Sequence, residues 1–119
     1  MAKFMVVDDS SIVRKTLSKQ LEEMGHEVVF AAENGQEAVN YYEWHGATID
    51  MITMDISMPV LNGLAALKEI IEINHKVKVL MVTSHGEEEM VMDAVEAGAI
   101  GYILKPITKE KLERQLEKL

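Results

Sequence analysis

Three aspartates stand directly after short apolar runs, at the points where buried strands would end. Asp8 and Asp9 follow the run 4–7, and Asp55 follows the run 49–54. Carboxylates held a few ångströms apart raise one another's pKa unless a cation offsets their charge. Magnesium prefers oxygen ligands and is typically held by one or two carboxylates. The three aspartates therefore predict a divalent metal site with Mg²⁺ as the expected ion, for which Mn²⁺ could substitute.

A hydroxyl and an amine follow two later apolar runs in the same way. Thr83 comes after the run 77–82, and Lys105 comes after the run 100–104. Such donors stabilise the charge that builds up on the equatorial oxygens of a phosphoryl group in transfer. With a carboxylate as acceptor, the two residues predict phosphoryl-transfer chemistry.

Other metal and thiol chemistries find no support in the sequence. The four histidines, at positions 26, 45, 75 and 85, have no i, i+4 or clustered spacing, so zinc has no evident site. The chain contains no cysteine, which excludes disulfides and thiol catalysis and is compatible with a reducing cytoplasm. Trp44 is expected to pack on the second helix, away from the aspartates.

The elements that must position these residues alternate along the chain. Short apolar runs at 4–7, 28–32, 49–54, 77–82 and 100–104 each precede a segment with helical spacing. This alternation is typical of βαβ units and predicts an α/β fold, a five-stranded parallel sheet with five helices on both faces. Ligands of such sheets gather at the carboxyl ends of the strands, which is where the polar residues above fall.

Helix ends are marked by capping residues. Ser10 or Ser11, Asn34 and Thr108 are placed to begin the first, second and fifth helices, and Gly25 and Gly46 to end the first two. The third helix follows Asn62-Gly63, and the fourth begins with Glu87, Glu88 and Glu89, where acidic side chains suit the helix dipole. The inward positions include Leu17, Leu21, Val39, Tyr42, Leu67, Ile70, Leu112, Leu116 and Leu119.

Composition limits the possible functions. At 119 residues, with 48% hydrophobic and 27% charged residues, the chain is predicted to form a single domain over 1–119. Its net charge of -8 disfavours binding to nucleic acid or to anionic membranes. No apolar run approaches the roughly 18 residues of a membrane span, so no membrane insertion is expected.

The motifs and their order resemble the response-regulator receiver family, the CheY-like domains of two-component signalling. The resemblance covers nearly the whole chain and each motif falls at a strand end or in the turn after it. The matching segments are Val7-Asp8-Asp9-Ser10, Asn34-Gly35 with Glu37-Ala38, Asp55 with Met58-Pro59 and Asn62-Gly63, Thr83-Ser84, Ala97-Gly98-Ala99 with Gly101-Tyr102, and Lys105-Pro106. His85, after the Thr-Ser pair, is unusual for the family.

The resemblance implies a flavodoxin-like strand order of 2-1-3-4-5 and a role for each site residue. Asp55 would be the phosphoacceptor, and Asp8, Asp9, Asp55 and the main-chain carbonyl of Ser57 would hold Mg²⁺. Thr83 and Lys105 would contact the phosphoryl oxygens, and Tyr102 would change rotamer on activation. The Lys105-Pro106 bond is expected to be cis.

The resemblance also implies partners. A sensor histidine kinase or phosphotransfer protein would supply the phosphoryl group, and a downstream protein would bind the surface of the fourth helix, fifth strand and fifth helix. Such a protein is a cytoplasmic switch that assists its own phosphorylation and dephosphorylation rather than an enzyme, either stand-alone or as part of a larger regulator.

Two other functions fit the topology less well. An aspartyl-phosphate phosphohydrolase would need a second aspartate two residues after Asp55, and that position is Ser57. A flavin-binding module would need a phosphate cradle after the first strand, where Asp8 and Asp9 would repel phosphate.

Overall fold

The computed structural model describes residues 1–84, 86 and 88–118. In chain order the elements are β1 (Lys3–Val7), α1 (Ser11–Glu23), β2 (Glu27–Ala32), α2 (Gly35–His45), a short 3-10 turn (Gly46–Thr48), β3 (Met51–Met54), α3 (Gly63–Ile73), β4 (Lys78–Thr83), α4 (Glu88–Ala97), β5 (Gly101–Leu104) and α5 (Lys109–Glu117). The predictions placed on His85, Glu87 and Leu119 lie outside the described residues.

The sheet has five parallel strands in the order β2-β1-β3-β4-β5, which confirms the predicted topology. β1, β3 and β4 lie inside the sheet, and their residues are almost all buried, as the continuous apolar runs predicted. β3 begins two residues later than predicted. Before the strand begins, the Asp50 amide donates to the Lys3 carbonyl at 2.8 Å, and the Asp50 carboxylate accepts the Lys3 amide at 2.8 Å.

The core forms one layer on each face of the sheet. The first layer packs α2, α3 and α4 on the sheet, through buried residues such as Val39, Leu67 and Ala94. The second packs α1 and α5 on the other face, through Leu17, Leu21 and Leu112. Helices therefore cover both faces, as predicted, and the carboxyl ends of the strands emerge between them.

Polar side chains cap four of the helices. Ser10, Asn34, Asn62 and Thr108 each accept a hydrogen bond from the amide three residues on, which satisfies a donor in the first helical turn. Gly25 follows α1 with φ +91, a left-handed conformation that glycine adopts without a steric cost. The caps fix where each helix starts relative to the strand before it.

Two further expectations concern the Lys105-Pro106 peptide bond and the packing of Trp44. The Lys105-Pro106 bond is cis, as expected. The expectation that Trp44 packs on α2 is wrong, because its side chain is 84% exposed. Among the described residues, no helix combines the length and the apolar character needed to cross a bilayer.

Candidate functional site

The pairing of β1 with β3 brings the predicted acidic residues together. Val7 pairs with Met54, so the next residues, Asp8 and Asp55, leave the sheet side by side. The Asp55 amide donates to the Val7 carbonyl at 3.0 Å, and the Asp8 amide donates to the Ala32 carbonyl at 3.1 Å. Ladder-like hydrogen bonds thus continue into the site and hold both backbones in place.

Three carboxylates meet at this edge of the sheet. Asp8, Asp9 and Asp55 each offer an oxygen, and these three atoms lie within 4.8 Å of one another. Asp8 and Asp55 are buried, whereas Asp9 is exposed. An all-oxygen set of this charge suits a hard divalent cation and lacks the nitrogen and sulfur ligands of zinc.

Lys105 reaches this cluster from β5, across β4. Its Nζ lies 2.8 Å from Asp8 Oδ2 and 3.5 Å from Asp55 Oδ2. Burial would lower the pKa of Lys105, but its hydrogen bond to Asp8 and the charges of Asp55 and Asp8 outweigh burial and raise that pKa above its ordinary value. Lys105 is therefore a firmly charged cation facing both carboxylates.

Asp55 has a raised pKa. Burial is the largest cause and the charge of Asp8 adds to it, while Lys105 and the Ile56 amide act in the opposite direction. The Ile56 amide donates to Asp55 Oδ1 at 2.8 Å. The carboxylate form of Asp55 is thus held in surroundings that favour it less than water does, as is common for reactive groups.

Asp8 is fixed by more contacts than Asp55. The Ser10 amide donates to its Oδ1 at 2.9 Å, and Lys105 donates to its Oδ2. Arg14, from α1, donates to the Asp8 main-chain carbonyl at 2.8 Å and lies 3.7 Å from Glu33. Sequence reasoning missed Arg14, although a cation shortly after an acidic pair was a usable signal.

Thr83 and Tyr102 lie on β4 and β5. Thr83 is fully buried at the end of β4, and its carbonyl accepts the Lys105 amide at 2.8 Å. Tyr102 is half-buried and pairs with Met81 in the β4–β5 ladder. A Cβ placed on Gly86 would come 3.9 Å from the Tyr102 hydroxyl, so this ring borders the loop after Thr83.

The loop after Asp55 carries the remaining predicted residue, Ser57, which is exposed. The loop returns to the site at Gly63, whose amide donates to the Ile56 carbonyl at 2.7 Å. A Cβ at Gly63 would overlap the Asp55 carbonyl oxygen. Glycine is therefore required at position 63 for the loop to close against Asp55.

A tight turn lies in the middle of this loop. Val60 has φ +69, and the Leu61 amide donates to the Pro59 carbonyl at 2.8 Å, two residues back. Three-residue turns with a positive central φ are rare and strained, and a β-branched residue there is a true outlier. The segment that follows Asp55 therefore carries local strain.

Comparison with known proteins assigns this arrangement to a family. The sequence-family model described as response regulator receiver domain matches residues 4–117. The chain belongs to the response-regulator receiver family. As a receiver domain it has a phosphoacceptor signalling role, and its family is one of molecular switches.

Relatives of this receiver include chemotaxis proteins. The chain is 38% identical to "Chemotaxis protein CheY" of Bacillus subtilis over 116 residues, covering 98% of this chain and 95% of that protein. It is 44% identical to the CheY of Halobacterium salinarum over 105 residues, covering 88% and 85% of the two chains.

Solved structures confirm the fold. CheY in a CheX-CheY-BeF3-Mg complex from Borrelia burgdorferi has a TM-score of 0.96 and 32% identity, covering 98% of this receiver and 87% of that chain. The response regulator domain of Thermotoga maritima CheB has a TM-score of 0.83 and 35% identity, covering 99% and 90%. The receiver is therefore of the CheY type, with the flavodoxin-like fold predicted.

Proposed function

We propose that Asp55 is the phosphoacceptor of this receiver. The observation that carries the proposal is the difference between the two buried carboxylates. Both oxygens of Asp8 already accept short hydrogen bonds, from Ser10 and Lys105, whereas Asp55 Oδ2 has a looser ion pair at 3.5 Å. Its raised pKa also makes the Asp55 carboxylate more basic than an ordinary aspartate, which favours it as a nucleophile.

Asp8, Asp9 and Asp55 are the side chains proposed to hold Mg²⁺, with the Ser57 carbonyl as a further ligand and Mn²⁺ as a substitute. The support is the convergence of three carboxylate oxygens within 4.8 Å. A bound Mg²⁺ supplies positive charge that neutralises the attacking carboxylate and the phosphoryl oxygens. The Borrelia complex is described with Mg and BeF3, which agrees with this chemistry.

The proposed donor is a phosphohistidine on a sensor histidine kinase or a phosphotransfer protein. An Asp55 carboxylate oxygen forms a bond to phosphorus while the P–N bond breaks. The electron pair of that bond stays on the imidazole nitrogen, which takes up a proton. Lys105 and the Thr83 hydroxyl stabilise the phosphoryl oxygens, and hydrolysis of the acyl phosphate later regenerates Asp55.

The output is proposed to be a change in protein contacts. Thr83 moves toward the phosphoryl oxygens, and Tyr102 turns inward beside it. The affected surface is the face of α4, β5 and α5, which exposes Met92, Val95 and Leu104 by 54%, 56% and 43%. Exposed apolar groups of this kind suit a downstream protein partner.

The wider proposal concerns the setting of the protein. Residues 1–119 act as one receiver domain in the cytoplasm, where the implied kinase would present its phosphohistidine. The domain is proposed to bind neither nucleic acid nor anionic membrane surfaces, since its net charge of -8 repels both, and to insert into no membrane.

The phosphoacceptor is tested by intact-mass measurement after incubation with Mg²⁺ and a small phosphodonor such as acetyl phosphate. Wild type is expected to gain one phosphoryl group, and Asp55→Asn none. Asp50→Asn is the matched control, because Asp50 lies at the opposite end of β3 and Asn keeps an acceptor for the Lys3 amide. Equal gain in Asp55→Asn and wild type would defeat the assignment.

The role of Lys105 is tested separately. Lys105→Ala is expected to weaken the transmission of phosphorylation to a partner. Partner binding that still responds to phosphorylation at wild-type strength would refute the role given to this residue.

A further inference from the structure

The ammonium group of Lys111 contacts the backbone on both sides of Lys105. Lys111 Nζ donates to the Leu104 carbonyl at 3.0 Å and to the Pro106 carbonyl at 3.1 Å. One side chain from α5 thus binds the residue before Lys105 and the residue after it. We propose that Lys111 is a positioning residue, which sets the direction in which the Lys105 side chain leaves the backbone.

Lys111 lies in the first turn of α5, where a positive charge is disfavoured. Thr108 caps the helix and accepts the Lys111 amide at 3.2 Å, so Lys111 is the third residue of the first turn. A cation is unfavourable there, because the N-terminal end of a helix carries positive partial charge. Two carbonyl oxygens offset this cost, since each presents negative partial charge directly to the ammonium.

Among the described residues, the backbone around Lys105 has few other hydrogen-bond partners at this edge. β5 is the last strand of the sheet, with β4 as its one strand neighbour. The Lys105 amide is tied to the Thr83 carbonyl, and Gln20 makes a long contact of 3.5 Å to the Ile107 carbonyl. Lys111 therefore supplies the short hydrogen bonds that fix the Leu104 and Pro106 carbonyls.

The consequence falls on the Lys105 ammonium. It must reach Asp8 at 2.8 Å and Asp55 at 3.5 Å from across β4, over the length of a flexible side chain. A small rotation of the backbone at Lys105 is amplified along that side chain. Holding the two flanking carbonyls limits this rotation and keeps the ammonium at the carboxylates.

The test compares Lys111→Met with Lys109→Met. Both variants remove one positive charge from the first turn of α5, but Lys109 is exposed at its first position. Lys111→Met is expected to slow phosphorylation by acetyl phosphate on the order of tenfold, less than the hundredfold that a 1 Å misplacement at a reacting site can cost. Lys109→Met is expected to match wild type, and Lys111→Arg to restore most of the rate, because a guanidinium can also donate to two carbonyls.

A second measurement follows Lys105 itself, by NMR of its side-chain signals in the absence of phosphodonor. Lys111→Met is expected to shift or broaden these signals, and Lys109→Met to leave them unchanged. The phosphorylation measurement rests on the proposed function, whereas the NMR measurement does not. If Asp55 took up no phosphoryl group, the NMR measurement would still test the role of Lys111. Lys105 signals in Lys111→Met identical to those in Lys109→Met would overturn the proposal.

Discussion

The two ends of the sheet use their polar residues in different ways. At the amino ends, three polar side chains are paired by hydrogen bonds: Asp50 accepts the Lys3 amide, His26 accepts the Ala2 amide, and Asn74 donates to the Tyr42 hydroxyl. At the carboxyl ends, three carboxylates crowd within 4.8 Å, and the pKa of Asp55 is raised. One end stabilises the fold, while the other holds charge at a cost in stability.

The left-handed backbone positions show the same contrast. Gly25 and Gly98, which follow α1 and α4 near the amino ends, have φ +91 and φ +112 and carry no side chain. At the other end Val60 has φ +69 and is 80% exposed. Strain that is avoided at the structural end is therefore tolerated in the loop beside Asp55.

The largest expected effect comes from a glycine-to-alanine substitution at the carboxyl end of the sheet, compared with the same substitution at the amino end. Gly63→Ala is expected to destabilise the protein by about 3 kcal/mol or more, because its Cβ would overlap the Asp55 carbonyl and the backbone must move. Gly25→Ala meets nothing within 4 Å and should cost only about 0.5 to 1 kcal/mol, because the strain of a left-handed alanine is partly offset by the smaller freedom of the unfolded alanine. Urea unfolding measures both values, and equal losses would contradict this account.

Magnesium should stabilise only through the carboxyl-end cluster. At a concentration about 100 times its Kd, a ligand of the folded state adds about 2.7 kcal/mol. Asp9→Asn is expected to weaken binding at least tenfold and so to remove about 1.4 kcal/mol of that gain. Asp50→Asn should retain the full gain. The shift in melting temperature with added Mg²⁺ distinguishes the variants, and a full shift in Asp9→Asn would remove Asp9 from the ligand set.

Polar substitutions without metal should have opposite signs at the two ends. Asn74→Ala is expected to lose about 1 kcal/mol with its hydrogen bond to Tyr42. Asp55→Asn should instead raise the melting temperature at neutral pH. The folded pKa of Asp55 lies above its unfolded value, so its carboxylate form destabilises the fold, and this effect fades as pH falls through the folded pKa.

Thermal unfolding from neutral to acidic pH, with a chelator present, checks this prediction. The advantage of Asp55→Asn over wild type should shrink as the pH is lowered. A variant that is less stable than wild type at neutral pH would show that Asp55 is not a destabilising charge.

The smallest effect is expected at the strained turn. Val60→Gly should relieve about 1 to 2 kcal/mol of left-handed strain but lose about 0.5 to 1 kcal/mol to the greater freedom of an unfolded glycine. The net result is a gain of about 0.5 kcal/mol, measurable by urea unfolding against Gly25→Ala, which should change in the opposite direction. A loss of stability in Val60→Gly would show that the turn is not strained.

Much of the contrast between the two ends of the sheet was predictable from sequence, because it depends on the order of the strands. The apolar runs, the residues that end them and the caps at Ser10, Asn34 and Thr108 were sufficient for the strand and helix assignments. The placement of Asp8, Asp9 and Asp55 at one edge followed from parallel pairing. The family resemblance supplied the strand order and the cis bond.

What the sequence did not predict depends on side-chain reach and on surface packing. The contacts of Arg14 and Lys111 join residues that no local pattern links, since long side chains can take many directions. Trp44 was expected to pack, yet burial of an aromatic depends on a neighbour that sequence spacing does not reveal. The contact of the Asp50 carboxylate with the Lys3 amide, just before β3, likewise joins distant parts of the chain.

The Lys105 amide donates a hydrogen bond to the Thr83 carbonyl at 2.8 Å, directly after the last residue pair of the β4–β5 ladder. It ties together the two residues proposed to sense the phosphoryl group, so neither backbone can shift far without lengthening it. Hydrogen–deuterium exchange at this one amide would then report the opening of the ladder at the site. The exchange rate of the Lys105 amide proton would thereby show whether phosphorylation of Asp55 changes the backbone at the end of β5.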